Sequence, residues 1–210
     1  NEGYGLSETS PVTHSTPQLA FRKMGTIGLP FPDTDQKIVD VETGVRELPV
    51  GEIGELCICG PQVMKGYWNR PDATAESIRD GWFYSGDMGI RDDEGFIFIQ
   101  DRLKDMIITG GENVYPAEIE NLLLSCPGIA DAAVIGVPSE KWGESAIAIA
   151  VRKDPELDEK TVLAFCDGKL ARFKTPVAVR FVDSIPRNAS GKILKRELRQ
   201  PYWAGRSSNV

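Results

Sequence analysis

Short apolar runs separated by glycine dominate the first half of the chain. Residues 36–41, 55–59 and 95–100 each read as a β-strand, and a helical turn is expected near residues 72–78, after a proline. Short strands with frequent turn residues are typical of a barrel or a small antiparallel sheet. The pattern therefore predicts a β-rich, barrel-like unit in this half.

Apolar residues at helical spacing begin to dominate after Arg102. Pro116 opens a helix that residues 126–128, Cys-Pro-Gly, bring to an end. A second helix starts at the N-cap Asp158, carries apolar residues on one face as far as Leu170 and ends before Lys174. The remaining predicted elements are strands over 131–137, 145–152 and 177–182 and a short basic amphipathic helix over 192–199.

This change of pattern predicts two domains. Residues 1–101 would form the β-rich unit, and residues 102–210 would form a small α+β unit, in which helices flank an antiparallel sheet. The fold class predicted for the whole chain is therefore α+β.

Composition and charge argue against some classes of function. The chain has 210 residues, 41% of them hydrophobic, and a net charge of −7 with acids and bases intermixed. The charge gives no support to nucleic-acid binding, which usually needs a basic patch, and no apolar run is long enough for a membrane span. Of the four cysteines, the close pair Cys57 and Cys59 is interpreted as two small buried hydrophobes rather than a metal or disulfide site. The cytoplasm is the expected compartment.

The first residues differ from those of a complete protein. There is no initiator methionine, and the polar, glycine-rich residues 1–10 do not resemble a signal peptide. We expect the chain to be a segment of a longer protein.

A polar, glycine-rich segment at residues 4–9, Tyr-Gly-Leu-Ser-Glu-Thr, is the first with candidate chemistry. Gly5 permits close backbone approach to a ligand. Ser7 and Thr9 can donate to phosphate oxygens, and Glu8 can hold Mg²⁺, which prefers carboxylate and phosphate oxygens. Taken alone, the segment is most simply a polar turn.

Two further segments carry candidate nucleotide ligands. Asp87 follows a glycine in residues 82–87 and could accept hydrogen bonds from ribose hydroxyls, although alone it would be interpreted as an Asx-type turn. In residues 101–116, Arg102 could pair with a phosphate or a ribose, and Gly110-Gly111 would make a mobile turn. Alone, this charged stretch would be interpreted as a solvated linker.

The fourth segment, residues 186–192, presents Lys192 after Asn-Ala-Ser-Gly. A lysine on a flexible loop can reach phosphate as a movable point charge. The segment is not a Walker A loop, because Arg187 occupies the position of the first glycine of that motif. Without the other three segments, a surface loop would be the simplest interpretation.

Together, in this order, the four segments resemble those of the adenylate-forming superfamily, which includes acyl-CoA synthetases, peptide-synthetase adenylation domains and beetle luciferases. Residues 54–61 with 66–68 and residues 173–176 add two further blocks that look like the family. The resemblance covers essentially the whole chain and corresponds to the C-terminal portion of these enzymes. Residues 4–14, 60–68 and 105–118 look most like fatty acyl-CoA ligases.

The resemblance implies a ligase reaction in two steps. A carboxylate attacks the α-phosphate of ATP to give acyl-AMP and pyrophosphate, and the thiol of coenzyme A then attacks the acyl carbonyl, releasing AMP. Lys192 is similar to the lysine that bridges the carboxylate and the α-phosphate. By the same resemblance, the implied catalytic residues are Lys192, Ser7 and Glu8, the Mg²⁺ ligand is Glu8, and the ATP, AMP or coenzyme A ligands are Tyr4, Gly5, Ser7, Asp87, Arg102, Gly110, Gly111 and Glu112.

Lys104 resembles the family hinge. Rotation of the small C-terminal domain there would withdraw Lys192 and bring the turn around Gly110 and Gly111 toward the acyl site, forming the pantetheine channel. Glu112 would either order this turn or contact coenzyme A. The phosphate-cradling loop of relatives lies upstream and is absent here, so we expect the segment alone to be inactive.

Several alternatives stay open. The acid could be a fatty, aryl, short-chain or succinylbenzoyl acid, and a luciferase-type oxygenase, a peptide-synthetase adenylation domain and a non-catalytic fragment are further alternatives. The expected partners are small molecules rather than nucleic acid, with peripheral membrane contact and oligomerisation left open.

Residues outside the motifs receive structural interpretations. His14 is interpreted as structural or solvent-exposed, without a partner nearby. The same reasoning takes three tryptophans as packing residues and three basic residues as a solvated helix face. These are Trp68, Trp82 and Trp142, and Lys195, Arg196 and Arg199.

Overall fold

The computed structural model describes residues 2–18 and 21–205 and divides the chain into two compact units, Asn1–Leu103 and Lys104–Val210. Among the described residues, no helix is both long and apolar enough to cross a bilayer. The elements of the first unit are β1 (Gly3–Gly5), β2 (Val12–Ser15), β3 (Leu29–Pro30), β4 (Asp35–Val39), β5 (Ile53–Cys59), α1 (Pro71–Ser77), β6 (Ile78–Arg79), β7 (Trp82–Arg91) and β8 (Ile97–Arg102).

The first unit consists of two open antiparallel sheets. β1, β2 and β3 form a small sheet, and a larger one has the order β4-β5-β7-β6, with β8 also paired to β7. β5 is buried over most of its length because it lies between two strands, and its Leu56 and Ile58 pack with Ile38 and Ile97 in the core. Of the two architectures predicted from the sequence, the small antiparallel sheet is confirmed. The described strands do not close into a barrel.

The segment around Asp87 is a strand rather than the Asx-type turn that it would suggest if taken alone. β7 runs continuously from Trp82 to Arg91 and places Asp87 directly opposite Arg102 of β8. Gly86 adopts a left-handed φ of 71° inside the strand, which any residue with a Cβ rarely adopts. The polar residues in β7 interrupt its hydrophobic pattern, so the strand was not predicted from the sequence.

The second unit is a five-stranded sheet with helices on both faces. Val134 on β11 faces a core shared with α2 and α3, whereas its neighbours Ala133 and Ile135 face the opposite side, where Leu198 of α4 packs. The elements are β9 (Ile107–Thr109), β10 (Glu112–Val114), α2 (Pro116–Leu124), β11 (Ile129–Ser139), β12 (Gly143–Arg152), α3 (Glu159–Cys166), β13 (Ala178–Phe181) and α4 (Lys195–Trp203).

Three predictions for this half need correction. The sheet is not wholly antiparallel, because β13 pairs with β12 in parallel after a crossover through α3. α3 begins after the predicted N-cap Asp158, whose Oδ1 accepts the Thr161 N–H at 2.8 Å, but it ends at Cys166, so that Leu170 lies beyond it. α4 begins at Lys195, which leaves Lys192 in the preceding loop.

Candidate active site

A buried carboxylate between two donors is the centre of the candidate site in the first unit. Tyr4 Oη donates to Asp87 Oδ2 at 2.6 Å, and Arg102 Nε lies 3.3 Å from Asp87 Oδ1. Asp87 is 5% exposed, whereas the Arg102 side chain is 43% exposed and so remains accessible to a ligand. Burial and the neighbouring Asp87 charge raise the pKa of Tyr4, which keeps the phenol protonated as a donor.

The backbone ahead of Asp87 is fixed by a second buried carboxylate that sequence reasoning missed. Gly86 N–H donates to Glu55 Oε1 at 2.9 Å, and the Asp87 N–H donates to Ser85 Oγ at 3.1 Å. Ser85 Oγ in turn donates to the Leu56 carbonyl at 2.7 Å. Burial raises the pKa of Glu55. A glutamate inside an otherwise apolar strand run was the signal available in the sequence.

Glu8 lies on a tightly held turn. Residues 7–9 form a short 3-10 turn, in which Glu8 Oε1 accepts from Tyr67 Oη at 2.8 Å and the Glu8 carbonyl accepts from Met64 N–H at 2.8 Å. A Cβ at Gly5 would lie 1.6 Å from the Pro11 carbonyl oxygen, so only glycine fits there. The turn therefore has a fixed backbone and a partly exposed carboxylate.

The two hydroxyls of this turn differ. Ser7 is exposed, whereas Thr9 is fully buried and its Oγ1 accepts the Leu6 N–H at 3.0 Å and lies 2.8 Å from the Pro11 carbonyl. The prediction that Thr9 donates to phosphate is therefore wrong, since its hydroxyl supports the turn. Ser7 keeps an accessible hydroxyl.

Glu8 suits Mg²⁺ held together with a nucleotide. In the described residues, the only group of three potential metal ligands is Asp92, Asp93 and Glu94, so Glu8 belongs to no such group. Mg²⁺ usually keeps several waters and binds through one or two carboxylates plus substrate phosphates. A single accessible carboxylate meets that requirement only when phosphates supply the other ligands.

His14 is buried and paired, contrary to the expectation that it has no partner. Its Nδ1 lies 2.8 Å from Thr13 Oγ1, and its Nε2 lies 2.7 Å from Gln36 Oε1. Gln36 Nε2 donates to the Gly95 carbonyl at 2.8 Å, which fixes the orientation of the amide. His14 Nε2 is therefore the donor, and burial lowers the pKa of the ring. The residue is structural.

Lys192 lies on an exposed hairpin of the second unit. Asn188 Oδ1 accepts backbone N–H bonds from Ser190 at 3.0 Å and from Lys192 at 2.9 Å, and Arg187 anchors the hairpin base to Asp131 Oδ2 at 2.6 Å. Within the part of the chain that the structure describes, the Lys192 ammonium forms no ion pair. A defined backbone thus presents an accessible cation.

The predicted turn at Gly110 and Gly111 joins β9 to β10. Both residues have left-handed φ values, 61° and 88°, as a two-residue type I′ hairpin turn requires. A Cβ on Gly110 would lie 2.9 Å from Trp142 Cε3, so the turn packs closely against this indole.

A cavity of about 650 Å³ opens beside this turn. Its lining includes Glu112, Lys141, Trp142, Arg172 and Phe173. Trp142 packs against the turn, as expected from the sequence, but it leaves half of its surface exposed to the cavity. The packing role expected for Trp68 was wrong, because this side chain is 89% exposed. An apolar cavity with exposed aromatic rings and two cations can bind a ligand that has both a flat ring and negative charge.

The structure therefore brings some predicted residues together and not others. Asp87 contacts both Tyr4 and Arg102, and Gly5, Ser7 and Glu8 lie in the same unit, the last two on one turn. The second unit holds the other predicted residues. These are Lys104, on the 3-10 turn over residues 103–105, the turn Gly110–Gly111 with Glu112, and Lys192.

Comparison with known proteins identifies the family. A family model described as AMP-binding enzyme matches residues 1–68, and one described as AMP-binding enzyme C-terminal domain matches residues 118–192. The chain belongs to the AMP-binding enzyme family, as its motifs predicted. A long-chain-fatty-acid–CoA ligase of Escherichia coli O6:H1 is 48% identical over 198 residues, which cover 94% of this chain but only 35% of the relative.

Two solved structures also match most of this chain over part of their own length. ATP-bound MatB from Rhodopseudomonas palustris matches with a TM-score of 0.90 at 45% identity, over 96% of this chain and 40% of that one. The o-succinylbenzoate CoA synthetase MenE of Bacillus subtilis, in complex with its acyl-adenylate intermediate, matches with 0.84 at 38% identity, over 94% and 40%. These likenesses confirm the predicted fold class, a mixed fold of β-sheets and helices.

Apo MatB, at the same identity and coverage, has a TM-score of only 0.67. The two MatB structures therefore differ from each other in this region.

Proposed function

We propose that this chain is the C-terminal part of an ATP-dependent acyl-CoA ligase that acts on a fatty acid through an acyl-adenylate. The observation that carries the proposal is the buried carboxylate of Asp87, held between Tyr4 and Arg102, in a chain that is 48% identical to a fatty acyl ligase. Such a carboxylate has lone pairs left for two ribose hydroxyls.

In the first step, the acid attacks the α-phosphate of ATP and pyrophosphate leaves. Asp87 accepts hydrogen bonds from the ribose, the exposed part of Arg102 assists at ribose or phosphate, and Ser7 donates to phosphate. Glu8 holds Mg²⁺, which neutralises phosphate charge when bound. Lys192 places its ammonium between the two reacting anions and stabilises the charge that develops at phosphorus.

In the second step, the thiol of coenzyme A attacks the acyl carbonyl and AMP leaves. We propose that the first unit, which includes Arg102 and ends at Leu103, is the last part of the large nucleotide- and acyl-binding domain, and that the second unit, which begins at Lys104, is the mobile domain. Rotation about Lys104 would exchange Lys192 for the turn around Gly110. The ATP-bound and apo structures of MatB differ over the region that this chain matches, which supports a conformational change in this part of that relative.

The cavity beside Trp142 is our proposed entry for coenzyme A. The half-exposed Trp142 and Phe173 offer ring faces for an adenine, and Lys141 and Arg172 offer positive charge for its phosphates. Gly110 lines this cavity, and the space where a Cβ of the adjacent Gly111 would lie is open, which leaves room for the narrow pantetheine arm along the turn.

Another acid is the second candidate. The likeness to MenE, in complex with its succinylbenzoyl adenylate, supports a ligase for an aryl or succinylbenzoyl acid. Incubating the full-length enzyme with ATP, coenzyme A and a panel of fatty, short-chain and aryl acids separates the two. We expect AMP release that requires both acid and coenzyme A and is fastest with a fatty acid. Fastest turnover with an aryl acid would favour the alternative, and no acid-dependent AMP release would refute both.

Tyr4→Phe tests the site in the first unit. Asp87 would lose a short hydrogen bond worth about 1.5–3 kcal/mol, so we expect the KM for ATP to rise about tenfold while the KM for the acid changes little. Tyr84→Phe is the matched control, because its hydroxyl donates at 2.7 Å to the Gly44 carbonyl, away from the site. Equal effects of both variants on the KM for ATP would contradict the role of Tyr4.

A further inference from the structure

We propose that Arg199 is a positioning residue that clamps the hinge to the mobile domain, so that rotation at Lys104 carries Lys192 with it. The inference rests on the proposed two-step function. Its basis is a set of contacts made by α4, the helix for which the sequence predicted only a solvated basic face.

Arg199 holds the hinge at two points. Its Nη1 donates to the Lys104 carbonyl at 3.0 Å, and its Nη2 donates to Asp105 Oδ1 at 3.0 Å. The side chains of Arg199 and Asp105 are 24% and 14% exposed. A planar guanidinium with fixed donors suits a two-point contact in a way that a lysine ammonium does not. The residue at the hinge and the residue after it are therefore both held by α4.

α4 is in turn fixed to the body of its domain. Lys195 Nζ lies 2.8 Å from Glu120 Oε1, and both side chains are largely buried. At the other end of α4, Trp203 Nε1 donates to the Gly136 carbonyl at 3.0 Å. Leu198 packs against the apolar face of the sheet between these two contacts. Because α4 is fixed to the domain core, Arg199 links residues 104–105 to that core.

The proposed catalytic lysine lies in the hairpin that leads directly into the same helix. Lys192 lies three residues before α4 begins, and Leu194 N–H donates to the Pro186 carbonyl at 2.9 Å, closing the hairpin onto the helix start. α4 therefore links Lys104, at the hinge, to Lys192, which must leave the site between the two steps. Met106 and Ile107 are already buried in the domain core, so the Arg199 contacts serve to hold residues 104–105 to it. Without these contacts, residues 104–105 would flex and a rotation at Lys104 would be less tightly coupled to the position of Lys192.

Limited trypsin digestion of the full-length enzyme tests the clamp, because trypsin cleaves at the carbonyl that Arg199 binds. We expect Arg199→Gln to speed cleavage between Lys104 and Asp105 about tenfold or more, since lost hydrogen bonds from a charged group make local opening easier. Arg196→Gln, an exposed position on the same helix, is the matched control and should cleave at the wild-type rate. Arg199→Lys should lie between them, and it replaces Arg199→Gln if the latter does not fold.

Kinetics of the two steps complete the test. We expect Arg199→Gln to lower the rate of thioester formation from a preformed acyl-adenylate about tenfold, with a smaller change in the KM for coenzyme A. Wild-type cleavage and wild-type step rates in Arg199→Gln would overturn the clamp. If the wild-type enzyme itself forms no acyl-adenylate, the proposed function fails, while the trypsin result still decides whether Arg199 holds residues 104–105.

Discussion

Replacing Lys192 by alanine in the full-length enzyme is expected to slow acyl-adenylate formation by about 100-fold or more, the usual effect of removing a group that stabilises charge in a transition state. The hairpin backbone depends on Asn188 and Arg187 and not on the lysine side chain, so the fold should survive. Acid-dependent pyrophosphate exchange measures this step directly. Thioester formation from supplied acyl-adenylate should change only a few-fold, because Lys192 has left the site by then.

The control for this variant is Lys160→Ala, which removes an exposed lysine from α3 in the same unit. We expect it to keep wild-type rates in both steps. Equal loss of both steps in Lys192→Ala, or full pyrophosphate exchange, would contradict the role given to this ammonium.

Lys104→Pro is expected to have the opposite effect to Lys192→Ala, slowing thioester formation and sparing acyl-adenylate formation. Proline fixes φ near −65° and restricts the residue before it, Leu103, so that the hinge loses most of its rotational freedom. Proline keeps its carbonyl, and the acceptor for Arg199 Nη1 is therefore retained. We expect acyl-adenylate formation to stay within a few-fold of wild type and thioester formation to fall at least tenfold, measured as single turnovers of each step.

Lys104→Ala is the matched control, since it removes the same side chain and leaves the backbone free. It should resemble wild type in both steps. If alanine and proline had equal effects, the lysine side chain rather than hinge rotation would be responsible, and equal loss of both steps in the proline variant would count against rotation.

Much of the fold could be predicted from local pattern. The strands around residues 36–41 and 55–59 and the helix from Pro116 have the expected periodicities, and the structure places elements there. β7 was missed because Ser85, Gly86 and Asp87 interrupt its apolar pattern. The parallel pairing of β13 with β12 could not be predicted from the sequence. Whether two strands run parallel depends on the path that the chain takes between them through α3, and not on the residues of the strands themselves.

The candidate site shows the same division between local and distant contacts. Asp87, Glu8 and Lys192 could be predicted, because each lies in a continuous stretch of sequence that resembles a family motif. The partners that hold them could not be found in this way. Glu55 bonds across 31 positions to Gly86, Tyr67 across 59 to Glu8, and Arg199 across 94 to Asp105. Such contacts exist only after folding.

The proposed movement of one ammonium between the two steps is the centre of this account, and ligand-bound crystal structures of the full-length enzyme test it most directly. With a non-reactive ATP analogue and the acid, Lys192 Nζ should lie about 3 Å from both an α-phosphate and a carboxylate oxygen. With an acyl-adenylate analogue and coenzyme A, it should have left, and the turn at Gly110 should face the acyl group. A Lys192 that lies far from the ligand in both complexes would contradict the account.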